Sequence, residues 1–160
     1  MSQPVAEPPS SLERSVELFA TADAHYELGT LAESRGDREA ALEHYAAAAT
    51  SNSEAGKAAQ DAMVRLDLPQ NPGRYLQLVA YTDTQGQLIV QIGNPTSVIV
   101  ADFGLLIRFV DDQGAIRETN RVLNQALQPG DSTRFATGIG PFVSSDSYQV
   151  ELQTARVVRN

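Results

Sequence analysis

The chain has 160 residues, 42% of them hydrophobic and 20% charged, with no cysteine and a formal net charge of −8. That is ordinary globular composition, and the missing cysteines exclude disulfides, thiolate metal sites and cysteine nucleophiles. Without a basic stripe there is no electrostatic footprint for a nucleic-acid backbone, so no nucleic-acid partner is expected. The charge is uneven: residues 1–67 carry 12 acidic against 5 basic side chains, and residues 68–160 carry 8 against 7. Halves so different suggest two domains. No apolar run approaches the roughly 20 residues of a membrane span. Residues 1–11 have neither the basic end nor the apolar centre of a signal peptide.

Residues 1–9, with Pro4, Pro8 and Pro9, read as a disordered lead-in. Ser10 and Glu13 stand at capping-box spacing, so a helix is expected to start there, with Leu12, Val16 and Phe19 among its residues. Neither Gly nor Pro decides whether it breaks near Thr21-Ala22-Asp23 or runs on to Ser34. Gly36 can take the left-handed conformation that ends a helix, and Asp37 can cap the next one. Asn52 or Ser53 can cap a third helix, 54–67, whose Ala55, Ala58, Ala59, Ala62, Met63 and Leu66 form an apolar stripe. The helical domain is therefore placed at 10–67.

Residues 68–73, Leu-Pro-Gln-Asn-Pro-Gly, combine helix breakers and turn formers and read as a linker. Beyond it the apolar period changes from 3.6 to 2, and strands are expected at 75–81, 87–92, 98–110, 115–123, 132–137 and 148–158. The third is the longest, with Ile99, Ala101, Phe103, Leu105, Ile107 and Phe109 on one face and Asp102, Gly104 and Arg108 on the other. Its length predicts a bend or bulge near Asp102-Gly104. Gln85-Gly86 and Gln113-Gly114 supply hairpin glycines, and Gln128-Pro129-Gly130-Asp131 fits a type II turn. The fourth strand carries Arg117, Glu118 and Arg121, which suits a charged sheet edge. Short antiparallel strands without intervening helices imply a β-sandwich over 74–160, of Ig-like class, and an α+β chain overall.

Two stretches carry resemblances. From Ala22 to Ser53, Leu28-Gly29, Gly36-Asp37, Ala41, Tyr45 and Ala48 resemble one tetratricopeptide repeat (TPR), a helical hairpin of about 34 residues. Small Gly29 and Ala41 would let the helices approach, with Leu28 and Tyr45 filling the space between. His25 stands where that family has a bulky apolar residue, and Ser53 where it has proline. Gly93-Asn94-Pro95-Thr96, the long strand closed by Asp111-Asp112-Gln113-Gly114, and Leu127-Gln128-Pro129-Gly130 resemble the FxLYD-like sandwich domains of bacterial envelope proteins. With Ala136 to Pro141, the order of repeat and sandwich is also similar to the C-terminal accessory region of some bacterial outer-membrane-assembly metallopeptidases.

These resemblances imply a non-catalytic protein–protein interaction or scaffold module, periplasmic or envelope-associated if trimmed from a longer parent and otherwise cytoplasmic. The alternative is a regulatory or substrate-positioning region of a metallopeptidase whose catalytic domain lies outside the chain. In the repeat family the first helix lines the concave surface. That implies partner-binding residues Asp23, Tyr26, Thr30 and Glu33, and a protein or peptide partner carrying Lys or Arg beside an apolar anchor. The third helix, through Met63, Val64, Leu66 and Leu68, is expected to meet the sandwich.

No catalytic residue, cofactor or metal is expected. The two histidines, His25 and His44, lack the spacing of a zinc-peptidase motif and read as surface or interhelical residues. Ser144-Ser145-Asp146-Ser147 reads as a solvated turn and Asp111-Asp112 as a hairpin turn rather than a cation site. Gly138-Ile139-Gly140-Pro141 has no lysine or helix start after it and is no phosphate cradle. Tyr75, Tyr81 and Tyr148 are the aromatic candidates for sugar platforms, with core packing as the competing assignment.

Overall fold

The structure, a computed structural model, describes residues 11–159, with side chains from residue 21 onward. The lead-in and the Ser10 cap lie outside the described residues. Helix α1 spans Ser11–Ser34 without a break at Thr21. It ends as the sequence predicts: Gly36 has φ +76°, its N–H donates to Glu33 O at 3.0 Å, and the Asp37 N–H reaches back to Ala32 O at 2.9 Å. These two bonds make a Schellman motif, which satisfies carbonyls that the helix end would leave open. Asp37 then caps α2, Arg38–Ala48, its side chain accepting from the Ala40 N–H at 3.1 Å.

The hairpin core is made of small residues around one large one. Ala22, Ala41 and Ala48 are buried, and Tyr45 is only 1% exposed. Leu28, expected beside Tyr45, instead faces outward at 45% exposure. It sits roughly 100° around the helix from Gly29, so both cannot point at α2. Helix α3 spans Glu54–Asp67, with Ser53 Oγ accepting from the Gly56 N–H at 3.1 Å. Its buried side is Gly56, Ala59 and Ala62.

The chain divides into two compact units between Met63 and Val64. Val64 at the end of α3 packs on the core of the second unit, and Leu68 is wholly buried in it. The segment expected as a linker is thus part of the sandwich. Asp67 holds it: one carboxylate oxygen accepts from Asn71 Nδ2 at 2.8 Å, and the other from the Tyr75 hydroxyl at 2.8 Å, with Arg74 Nη1 3.6 Å away. A short 3-10 turn, Pro72–Arg74, follows.

Six antiparallel strands then form two sheets: β1 (Gln77–Thr82), β2 (Leu88–Gly93) and β5 (Ser132–Ala136) in the order β1-β2-β5, and β3 (Ile99–Val110), β4 (Ile116–Leu127) and β6 (Tyr148–Val158) in the order β4-β3-β6. The chain is α+β, three helices followed by an antiparallel sandwich. Leu76, Val90, Ile92, Val100, Phe103, Leu105, Leu127, Leu152 and Ala155 make its main core, and Leu88, Ile107 and Ile139 a second cluster. In the long strand β3 the register shifts between Ala101 and Phe103 against β4. Asp102 there has φ +55° and accepts from Arg156 Nε at 2.7 Å. The bulge shifts the alternation along the strand, so that Val100 and Phe103, three residues apart, both enter the main core. β4 is a sheet edge, exposed along almost its whole length.

The turns share a design in which a side chain supplies what the backbone lacks. Asp83 and Asp111 each begin a hairpin loop. Asp83 Oδ1 accepts from the N–H groups of Gln85 and Gln87, and Asp111 Oδ1 from those of Gln113 and Ala115, all within 3.0 Å. Each loop closes through a glycine at φ near +80°, Gly86 or Gly114, the position where only glycine is unstrained. Asn94, 1% exposed, joins the sheets. Its Nδ2 donates to Val98 O (2.8 Å) and Leu127 O (3.1 Å), and its Oδ1 accepts from Thr96 N–H (3.1 Å) and Oγ1 (2.6 Å). Its backbone N–H donates to Asp131 O and its carbonyl accepts from the Gly130 N–H.

Asn94→Ala removes the amide that bonds the Val98 and Leu127 carbonyls at the crossing between sheets, and should destabilise the sandwich by about 3 kcal/mol. Thr96→Ala, which leaves the crossing itself intact, should cost about 1 kcal/mol. Urea denaturation followed by far-UV circular dichroism measures both, and equal effects would contradict the assignment.

Candidate functional site

The candidate surface is α1 as it lies against α2. Asp23 and Thr30 are exposed; Tyr26 and Glu33 are half-buried. They are not a free stripe, because Tyr45 organises three of them. The Tyr45 hydroxyl donates to Glu33 Oε2 at 2.7 Å and lies 3.5 Å from Thr30 Oγ1. The Tyr26 ring rests on the Tyr45 ring, centroids 5.7 Å apart at 44°. Thr30 Oγ1 donates to the Tyr26 carbonyl at 3.0 Å. Asp23 is thus the one carboxylate of the set for which the structure gives no such tie to Tyr45. Roughly 150° around α1, Leu28 and Leu31 form a second stripe, exposed at 45% and 44%.

The hairpin also joins the two histidines, which sequence spacing had kept apart. His25 Nδ1 and His44 Nδ1 are 3.2 Å from each other, with ring centroids 5.5 Å apart. The signal was present in the sequence in another form. Ala22, His25 and Gly29 stand at spacings of three and four on α1, and Ala41, His44 and Ala48 repeat those spacings on α2. Each histidine therefore shares a helical face with two small residues, and antiparallel helices place those faces together.

In the sandwich, the residues weighed for chemistry are spent on structure. Both Asp111 oxygens are engaged, one by the loop backbone and the other by Arg117 Nε at 2.9 Å. That guanidinium contact, followed by the Ala115 N–H, holds the Asp111 carboxyl below the ordinary carboxylate range. Ser144 accepts from the Asp146 N–H and opens a 3-10 turn. Ile139 extends the pairing of β2, its carbonyl accepting from the Leu88 N–H at 2.9 Å. Tyr75 is tied to Asp67, and Tyr148 stacks on Phe142 with centroids 5.4 Å apart. Tyr81 is half-buried on β1. A cleft of about 480 Å³ lies between the tip of the β3–β4 hairpin and residues 140–147, with Phe109 and Phe142 among its apolar walls and Asp112 and Ser147 among its polar ones. No histidine, lysine or arginine lines it. Among the described residues no cluster of three or more histidines or carboxylates is arranged for a metal ion, and no helix is long and apolar enough to cross a membrane.

No protein-family model and no curated protein matches the sequence. Among solved structures, the chain resembles the trimeric lipoprotein SadB of Salmonella enterica at 9% identity and a TM-score of 0.31, covering 96% of this chain and 95% of that one. It also resembles the alkylpurine DNA glycosylase AlkC of Pseudomonas fluorescens, bound to DNA containing an abasic site analog, at 11% identity and a TM-score of 0.33, covering 78% of this chain and 47% of that one. Both scores are too low to carry an inference about fold or function.

Gly29→Ala tests the geometry of this face. A Cβ at Gly29 would fall 2.6 Å from two carbons of the Tyr45 ring, so overpacking of about 1–3 kcal/mol opposes a helix-propensity gain of about 1 kcal/mol. Thermal melts should show net destabilisation, shrinking or reversing in a Tyr45→Leu background. A Gly29→Ala chain more stable than the parent would contradict the close approach.

Asp111 predicts a pH dependence. Its folded value is depressed, so its contribution is present above the unfolded carboxylate value near about 3.9 and is lost as pH falls through the folded value. The stability gap between the parent and Asp111→Ala should be present at neutral pH and narrow steadily in acid, as measured by denaturation at a series of pH values. A gap constant through that range would contradict the Arg117 pairing.

Proposed function

We propose that the chain is a non-catalytic protein–protein interaction module, with the α1 face of the helical hairpin as its partner surface. The observation that carries the reading is the fixing of Tyr26 and Glu33 on Tyr45 next to exposed Asp23. An aromatic and one carboxylate are held beside Asp23 on one helix face at helical spacing, which lowers the entropy lost on binding. The resemblance of residues 22–53 to a tetratricopeptide repeat supports the same helix as the contact surface, and the resemblance of 75–158 to FxLYD-like sandwiches supports a bacterial envelope setting. The partner is a protein or peptide segment presenting Lys or Arg beside an apolar side chain. Asp23 steers it and gives binding its salt dependence, while Tyr26 supplies apolar contact. Glu33, already accepting the Tyr45 hydroxyl, acts chiefly by holding that ring in place.

The experiment is amide-shift mapping of the isotopically labelled chain with short acetylated peptides that pair Lys or Arg with Leu, against Glu-for-Lys controls. Shifts centred on residues 22–33, weakened by salt and by Asp23→Asn and reduced further by Tyr26→Ala, are expected. Shifts confined to residues 75–158 would remove this surface from consideration.

A further inference from the structure

We propose that His25 and His44 form a two-imidazole binding site for a late first-row divalent cation, with copper(II) held more tightly than zinc(II). These are the chain's only two histidines, they come from different helices, and their Nδ1 atoms face each other at 3.2 Å. Such a contact holds only while one nitrogen carries a hydrogen and the other a lone pair. The pair is thus two ligand nitrogens sharing one proton.

The separation suits a metal. Two metal–nitrogen bonds of about 2.0–2.1 Å at a tetrahedral angle place adjacent ligand nitrogens about 3.3 Å apart. Once the ring that carries the Nδ1 hydrogen shifts it to its own Nε2, both rings are neutral Nε2–H tautomers and a cation can be bound by both Nδ1 atoms with small movements of the two rings. The backbone under the rings is constrained: the Schellman turn fixes the entry to α2, and Gly29, Ala41 and Ala48 hold the helices close. Both imidazoles are only half-buried, so water can fill the other coordination positions. Imidazole is a ligand of intermediate softness that suits zinc, nickel and copper, and the stability order of divalent ions puts copper above zinc. Both Nδ1 atoms must be free of hydrogen to bind the cation. A bound cation would also clamp α1 to α2, stabilising the hairpin in proportion to the logarithm of its concentration above the dissociation constant.

The test titrates the untagged full chain with zinc chloride and, separately, with copper(II) chloride in a non-coordinating buffer. Binding is followed by calorimetry. With zinc, which is diamagnetic, the imidazole ¹⁵N signals are recorded as well. One ion per chain is expected, copper tighter than zinc, with the Nδ1 signals of His25 and His44 moving together and the thermal midpoint rising with metal. His25→Ala and His44→Gln should each weaken binding at least about tenfold. His44→Gln keeps a polar partner for His25, and circular dichroism confirms that both variants remain helical before they are titrated. The proposal is overturned by an isotherm that survives either substitution, by movement of one imidazole without the other, or by no binding up to millimolar metal.

Discussion

The close approach of α1 to α2 at Gly29 and Tyr45 is the constraint from which the rest of the helical unit follows. A Tyr ring is buried against a position where even a methyl group does not fit. Its hydroxyl must then find an acceptor, and the helix geometry offers Glu33 one turn from Gly29. Tyr26 also packs against that ring. Two of the residues that define the candidate partner surface are thereby oriented by the packing that holds the hairpin together. The same approach sets His25 against His44, because each shares a face with the small residues that permit it. Hairpin packing, the candidate surface and the imidazole pair all depend on this close approach.

The sandwich follows another rule. Its turns consume their own polar side chains: Asp83 and Asp111 cap backbone N–H groups inside their loops, Asn94 bonds across the crossing from β2 to β3, and Ser144 opens a short turn. Groups that look like chemistry in the sequence are here hydrogen-bonded within their own turns. Two charges of the edge strand β4 are paired within the sheet or its hairpin, Glu118 with Arg108 and Arg117 with Asp111.

The fold was largely legible in the sequence because its signals are local. The Gly36-Asp37 helix junction, the two Asp-x-Gln-Gly loops, the Pro129-Gly130 turn and the bulge at Asp102 each depend on residues close together in the chain. The burial of Leu68 and Pro72 was not legible, since they look like linker residues until the sandwich that covers them is known. At the site, the spacing of Asp23, Tyr26, Thr30 and Glu33 placed them together on α1. Which of them Tyr45 would engage depends on the rotation of two helices about their axes, and the sequence does not set that angle. The outward turn of Leu28 and the meeting of His25 with His44 were missed for the same reason.

The account's central claim is that partners engage the helical hairpin and not the sandwich. Site-specific photo-crosslinking in cells that make the native protein tests it most directly, with a photoreactive residue placed in turn at Asp23, at Thr30 and at Val122 on the exposed edge strand. The account predicts discrete crosslinked species from positions 23 and 30 and none from 122. Crosslinks from 122 alone, with 23 and 30 silent, would contradict it.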